Sequence, residues 1–353
     1  MSFRIPCRPA KVNLDVLLRN GQCFRWTRTP TGHIGVSHHR VWQLSQPDDT
    51  QMQVLVLARF SRARGLDREV IESMFHLNQQ GDNVSVEELY QQWCDRDTHF
   101  RTIFERDKHK LQGICIMRQQ PFECLVTFIC SSNNNIKRIS GMVEKLCETF
   151  GESTTASDGR VHYDFPTLDA LCGAGTETSL RNLGFGYRAA YISQAAKQIR
   201  ELGGEQWLET LRNLKYDAAK SALMKLQGVG PKVADCVLLM GLCHHDAVPV
   251  DTHVLQITAN HYMPRLKHHK SLNKTTYDEI VQFYRDRFGP YAGWAQTVLF
   301  TADLALEHLT KSDDTQQRAD LRSEQQDLTN ASGAKLQKRT GSKTGRVKNK
   351  KRR

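Results

Sequence analysis

Apolar residues alternate with polar ones in the first third of the chain and recur at helical spacing through most of the rest. QCFRWTR, HIGVSHHRVWQLSQ and QMQVLVLARF each run at period two, the spacing of a strand with one buried face. Asn20-Gly21 and Pro30-Thr31-Gly32 are turn formers, so residues 1 to about 115 predict an antiparallel sheet. EELYQQWCDRDTHFRTIFER changes period: Leu89, Trp93, Phe100 and Phe104 fall at roughly helical spacing and predict a helix.

From Gln119 onward the pattern is helical almost throughout. ECLVTFICS is strongly apolar, SSNNN interrupts it, and IKRISGMVEKLCETF resumes an amphipathic helix that Gly151 stops. Asparagine side chains compete for the backbone, so the Asn run is a natural break. LDALCGA, TSLRNLG, RAAYISQAAKQIRELGG, QWLETLRNL and AAKSALMKL are further helices. After Asp251 come VLQITANHY, a polar loop at 264 to 275, TTYDEIVQFYRDRFG and the apolar run YAGWAQTVLFTADLALEHL. The expected fold class is α+β: an N-terminal antiparallel sheet domain with helices over 1–118, joined to an all-helical body over 119–310. Residues 311–353 lose the apolar periodicity. They cannot bury enough surface to offset the entropy of ordering, and a disordered tail is expected.

Charge adds less than its sum suggests. The net charge is +11, but residues 334–353 hold ten Lys or Arg and no acid, which leaves the remainder near +1. A polyanion partner must therefore be argued from motifs rather than from the body's charge. The basic end reads as a nuclear-localisation or nucleic-acid tail, or as a merely solubilising one. At the other end Arg4, Arg8 and Lys11 precede the first acid, Asp15, which permits a mitochondrial-targeting reading beside the nuclear one. No run of about 18 apolar residues is present to span a membrane, and the first residues lack a signal-peptide core. The ten cysteines form no C-x-x-C pair, so they read as free thiols in a reducing compartment, without a zinc site.

The densest chemistry lies in residues 223–253, LMKLQGVGPKVADCVLLMGLCHHDAVPVDTH. Two apolar helical stretches flank Gln227-Gly228-Val229-Gly230, and Pro231 sits where a first helical residue is expected. This predicts a helix, a tight hairpin and a second helix. Lys232 falls in the first turn of that second helix, beside outward-pointing backbone N–H groups. Gly228 and Gly230 remove side chains that would keep a phosphate away, so the hairpin is able to grip a nucleic acid backbone. Nineteen residues after Lys232, Asp251 stands just before another helical run, where an N-cap is the simplest role.

The order L-x-G-V-G-P-K followed by V-P-V-D resembles the helix-hairpin-helix DNA glycosylase superfamily, and lysine at this position resembles its bifunctional branch. Within that branch the chain is similar to the eukaryotic 8-oxoguanine DNA glycosylases over roughly residues 10 to 305. The likeness rests on NGQCFRW at 20–26, FICSSNNNIKRI at 128–139, LGFGYRAAYI at 183–192, GVGPKVADC at 228–236, VPVDTH at 248–253 and GPYAGWAQTVLFTADL at 289–304. The resemblance implies excision of 8-oxoguanine opposite cytosine in double-stranded DNA, with abasic-site lyase activity, by a monomer. Lys232 would attack the sugar C1′ and hold the opened sugar as a Schiff base, from which β-elimination cuts the strand. An ordinary lysine amine, with a pKa of about 10.4, is almost wholly charged at neutral pH, and Asp251 would assist deprotonation and stabilise oxocarbenium-like charge. The alternative for Lys232 is a phosphate-binding lysine at a helix start.

The same resemblance implies roles for residues elsewhere. Asn133 would fill the gap left by the flipped base and contact the orphaned cytosine, Arg138 and Arg188 would bond that cytosine's acceptor edge, and Tyr187 would wedge beside the opened step. A helix cap, solvated arginines and a core tyrosine are the bland alternatives. Gly21 matches the family's reader of the N7 hydrogen that distinguishes 8-oxoguanine from guanine, although Asn20-Gly21 alone would be a hairpin turn. Gln296 would pair with the purine's Watson–Crick edge, with Phe300 and Cys236 on the two faces of the base; ordinary core is the alternative for the last two. His253 matches a phosphate-contacting histidine. No cofactor is required by this reading, though the resemblance implies a monovalent or divalent cation on the hairpin's carbonyls. The iron–sulfur relatives carry four clustered cysteines after the catalytic aspartate, whereas here the last cysteine is Cys243, so no such cluster is expected. Two departures are a proline, Pro231, where the family often has threonine, and a short loop around Met263 to Lys274. The rival readings are a glycosylase for an alkylated purine and a non-catalytic module that uses the hairpin for anchoring.

Overall fold

In the computed structural model, which describes residues 2–77, 85–268 and 272–304, the alternating stretches pair into one antiparallel sheet of five strands. Its order is β1-β5-β4-β3-β2, with β1 Ser2–Pro6, β2 Trp26–Thr29, β3 Gly32–Ser37, β4 Arg40–Asp48 and β5 Gln51–Arg59. Alternation puts Met52, Val54 and Val56 of β5 in the core together with Trp42 and Leu44 of β4. Pro30-Thr31 makes the tight turn into β3, with Thr29 opposite Gly32. A Cβ on Gly32 would sit 2.3 Å from the Leu44 carbonyl, so only glycine fits there.

The strands depart from the sequence pattern in three places. HIGVSHHRVWQLSQ is two strands, because His38 and His39 both take positive φ, 51° and 60°, and form a hairpin turn without the usual Asn or Gly. Side-chain bonds hold it: Ser37 Oγ lies 2.8 Å from His38 Nδ1, and His39 Nδ1 lies 2.8 Å from Asp164 Oδ2. QCFRWTR is a strand only from Trp26. Upstream, Gln22 is buried and pinned elsewhere: its amide donates to Cys115 O at 2.9 Å and accepts from Met117 N at 2.9 Å, while its carbonyl accepts from Gln119 at 2.7 Å. Strand β1 and the small hairpin β6 Ser153–Thr155 with β7 Val161–Tyr163 are too short to show a periodicity.

The stretch read as one helix over Leu89 to Phe104 is two, Val86–Arg96 and Thr98–Arg106. Asp97 separates them. Buried at 1% exposure, it caps the second helix through Phe100 N at 2.6 Å, accepts Tyr262 Oη at 3.1 Å, and pairs with Arg287 Nε at 2.7 Å. Replacing it removes a cap and leaves a cation without its partner. Asp97→Ala is expected to lower unfolding free energy by about 2 kcal/mol, the loss of a cap and of the Tyr262 hydrogen bond, measured by urea denaturation.

The helical body is built around Pro121–Ser131, whose residues are buried at nine of eleven positions. Such an all-round apolar helix belongs at the centre of a body. It ends at the Asn run, and Ile136–Phe150 follows with Asn135 as its N-cap. Cys124 Sγ approaches Cys236 O at 3.8 Å, which sets the central helix against the hairpin. One apolar cluster runs from β4 and β5 through this helix to the hairpin and to Ala302. The polar loop expected at 264–275 contains a short 3-10 turn, Pro264–His268, and a helix begins at Lys274. The tail expected to be disordered over 311–353 lies outside the described residues. No described helix is long and apolar enough to cross a membrane.

Candidate active site

The hairpin has the expected form. Helix Tyr216–Leu223 is followed by a turn and then by Pro231–Cys236, which runs on as a π-helical segment, Val237–Gly241. The π turn was not legible in the sequence; such widened turns are frequent at functional sites. The two glycines differ. Gly228 has φ +80° and a Cβ on it would strike the Tyr191 ring at 2.6 Å, whereas a Cβ on Gly230 would meet nothing within 4 Å. Gly228 is thus required by packing and backbone, and Gly230 leaves the helix start open. No side chain caps that helix start.

Lys232 projects toward the end of the central helix. Its Nζ lies 3.1 Å from Ser131 Oγ and 4.8 Å from the centre of the Phe128 ring. Neither neighbour was singled out in the sequence, although both stand in the FICSSNNNIKRI block, where the Asn run drew attention first. Asp251 is the N-cap of Thr252–His261 and accepts from Val254 N at 3.0 Å through Oδ1. Cys236, on the same helix as Lys232, is buried: burial pushes its thiol up to about 11, Lys232 lowers it and Asp251 raises it. Lysine and aspartate therefore lie within electrostatic reach of one thiol.

The Asn run meets the 187–188 segment beside them. Asn133 is exposed with φ +49°. Arg188, buried at 4% exposure, donates to Ser132 O and to Asn133 O, the latter at 3.2 Å. Its Nε is buried and finds no hydrogen-bond acceptor among the described residues. Tyr187 is 46% exposed, bonds Ser132 O through its hydroxyl at 3.2 Å, and stacks under the Arg188 guanidinium at 4.5 Å. Arg138 is exposed, one turn into Ile136–Phe150, with its backbone N bonded to Asn135 Oδ1 at 3.0 Å.

Gly21 reaches this region from the sheet side. It has φ +87°, and a Cβ on it would lie 3.2 Å from Ile136 Cδ1, at the start of the helix that follows the Asn run. Its neighbour Asn20 is buried and donates to Thr301 Oγ1 at 3.4 Å, on the helix from 292 onward that carries Gln296 and Phe300. Gln296 is buried, and Phe300 meets the His253 ring edge-on at 6.0 Å. Phe128 joins the two sides, with Phe24 at 5.8 Å and the Lys232 ammonium over its ring.

A hairpin with lysine opening its second helix, an aspartate at the next helix start and a central buried helix define a helix-hairpin-helix DNA glycosylase. Residues 4–125 match the family model "8-oxoguanine DNA glycosylase, N-terminal domain", and residues 126–282 match "HhH-GPD superfamily base excision DNA repair protein". The chain is 37% identical to N-glycosylase/DNA lyase OGG1 of Arabidopsis thaliana, over 86% of this chain and 80% of that protein. It is 34% identical to the N-glycosylase/DNA lyase of Saccharomyces cerevisiae, over 85% and 86%. The Clostridium acetobutylicum 8-oxoguanine glycosylase/lyase, solved with double-stranded DNA containing cytosine opposite 8-oxoguanine, superposes with a TM-score of 0.70 at 27% identity, covering 84% of this chain and 93% of that one. The chain belongs to the 8-oxoguanine DNA glycosylase family, and it is a DNA N-glycosylase with DNA lyase activity.

Proposed function

We propose that this enzyme excises 8-oxoguanine paired with cytosine in double-stranded DNA and then cuts the strand at the abasic site. The observation that carries the reading is the lysine amine at the start of the hairpin's second helix, 3.1 Å from Ser131 at the edge of the Asn run, with Asp251 at the next helix start; both charges act on the buried Cys236 thiol. In this reading Lys232 Nζ forms a bond to C1′ as the base departs with the glycosidic electron pair. Ring opening, with a proton taken up by O4′, gives an imine on the same nitrogen; loss of a proton from C2′ to solvent then forms the C2′–C3′ double bond and expels the 3′ phosphate. Asp251 holds negative charge near the sugar as positive charge develops there and takes up the amine proton. The cap bond from Val254 N engages Oδ1, so capping and catalysis are compatible uses of one carboxylate.

The flipped purine is received by Gly21, Cys236, Gln296 and Phe300, with the Gly21 carbonyl accepting the N7 hydrogen. Asn133, Arg138, Tyr187 and Arg188 hold the opened duplex and the orphaned cytosine, while Gly228, Gly230 and His253 face the backbone phosphates. No cofactor does the chemistry and no iron–sulfur cluster is involved. A structural cation on the hairpin carbonyls is what the family resemblance adds, with Leu226 O, which accepts from Val229 N at 3.2 Å, among the carbonyls that would hold it. The protein acts as a monomer in the nucleus, a mitochondrial location being the alternative that its N-terminal basic residues permit.

Duplexes carrying 8-oxoguanine opposite each of the four bases test the reading. Single-turnover excision is expected to be fastest opposite cytosine, with a covalent adduct trapped by borohydride. Equal rates opposite all four bases would remove the cytosine assignment, and efficient release of an alkylated purine without an adduct would favour the water-using rival.

A further inference from the structure

The carboxylate three residues beyond Lys232 is the most completely buried acid of the hairpin. Asp235 has 0% exposure, so its charge must be met by donors on all sides. Lys220 Nζ lies 2.7 Å from Oδ2, Tyr216 Oη 2.7 Å from Oδ1, and Tyr277 Oη 2.5 Å from Oδ2. These partners come from the hairpin's first helix and from Lys274–Phe288. Burial raises the carboxyl above its ordinary range, against the pull of Lys220 and the two phenols.

Tyr277 does more than satisfy this acid. Its hydroxyl also lies 3.3 Å from Val250 N, the buried amide directly before Asp251. A phenol has one proton and two lone pairs. With the proton given to Asp235, a lone pair faces the Val250 N–H. One oxygen therefore links the helix that carries Lys232 to the backbone that launches Asp251. The Lys220 ammonium, 4.7 Å from the centre of the Tyr277 ring, holds the phenol from its face.

We infer that Tyr277, anchored on Asp235, is a positioning residue that keeps Asp251 in register with Lys232. This rests on the catalytic pair proposed above. Neither Tyr277 nor Asp235 touches the reacting atoms, and their effect passes through the Val250–Asp251 backbone. A misplacement of about 1 Å in a reacting group costs roughly a hundredfold in rate, so one bond at this point is enough to matter.

Tyr277→Phe removes the hydroxyl and keeps the ring. Single-turnover excision of 8-oxoguanine, measured well below the melting temperature, is expected to fall about 10- to 100-fold, with duplex affinity within about twofold of the unaltered enzyme. The same change made in Asp251→Asn is expected to add little, because the group it positions is already disabled. A buried residue with a merely structural role would lower the melting temperature and leave the single-turnover rate intact, or slow both backgrounds by the same factor; either result overturns the inference. Lys220→Gln perturbs the same carboxylate and leaves the Tyr277 hydroxyl in place, although it also removes the ammonium from the face of that ring; it is expected to give a smaller fall in the same rate, which keeps the question decidable if Tyr277→Phe does not fold. Full-speed excision by Asp251→Asn would instead overturn the catalytic pair and this inference with it, whereas a slow Asp251→Asn beside a fast Tyr277→Phe overturns the inference alone.

Discussion

Lys232→Gln is expected to abolish borohydride trapping and to reduce single-turnover excision by about 10⁴-fold or more, the scale of removing a nucleophile. The loss is expected without unfolding. Lys232 is only half-buried, with a hydrogen bond to Ser131, its ammonium over Phe128 and the Cys236 thiol within reach; a neutral polar residue costs little at such a site, about 0.5–1 kcal/mol. Thermal melting separates the two effects, and duplex binding should persist because a charge-neutral amide leaves the hairpin's backbone groups in place. If the glutamine variant still forms the trapped adduct at the native rate, another amine is the nucleophile. Ser131→Ala offers a weaker companion measurement: with the hydroxyl gone the lysine loses an orienting partner, and excision is expected to slow by about 3- to 10-fold with adduct formation retained.

The architecture was legible because its largest elements obey simple periods. Period two located β3, β4 and β5, and the apolar run ECLVTFICS located the central helix. The exceptions have local causes. His38 and His39 turn a chain that composition alone would continue, because bonds to Ser37 and the distant Asp164 hold both at positive φ. Asp97 breaks what looks like one helix because its partners, Tyr262 and Arg287, come from the far end of the chain. The site shows the same division. The glycines, Lys232 and Asp251 announce themselves by spacing, since a tight turn and a helix start demand particular residues. Ser131, Phe128 and Tyr277 carry no such mark: a serine and a phenylalanine in an apolar helix and a tyrosine in an amphipathic one are ordinary until folding sets them beside a lysine or an aspartate's backbone. Asp235 lay in plain view within VADC, but an acid in an apolar helix reveals its use only once Lys220 and two phenols are found around it.

Arg188→Ala is expected to cost both stability and choice of opposite base. The guanidinium braces the Asn run in its turn: it donates to the carbonyls of Ser132 and Asn133, and the latter residue sits at φ +49°, a left-handed conformation that asparagine tolerates. Losing those donors leaves Ser132 O with Tyr187 Oη and Asn133 O with solvent, a loss of about 1 kcal/mol, which chemical denaturation will register. The functional loss follows from geometry. An arginine fork has five N–H donors, and the bonds to Ser132 and Asn133 engage Nη2, so the proposed reading of cytosine draws on Nη1, which those bonds leave uncommitted. A bidentate contact to a base edge is worth about 1–3 kcal/mol of discrimination, so excision opposite cytosine should fall about 10- to 100-fold toward the rates opposite the other bases. Arg188→Lys restores the charge but not the planar fork, and the preference should stay low even if stability recovers. Cytosine preference that survives in Arg188→Ala at full strength would move the reading of the opposite base to Arg138 and Asn133, and would leave Arg188 a brace for the turn.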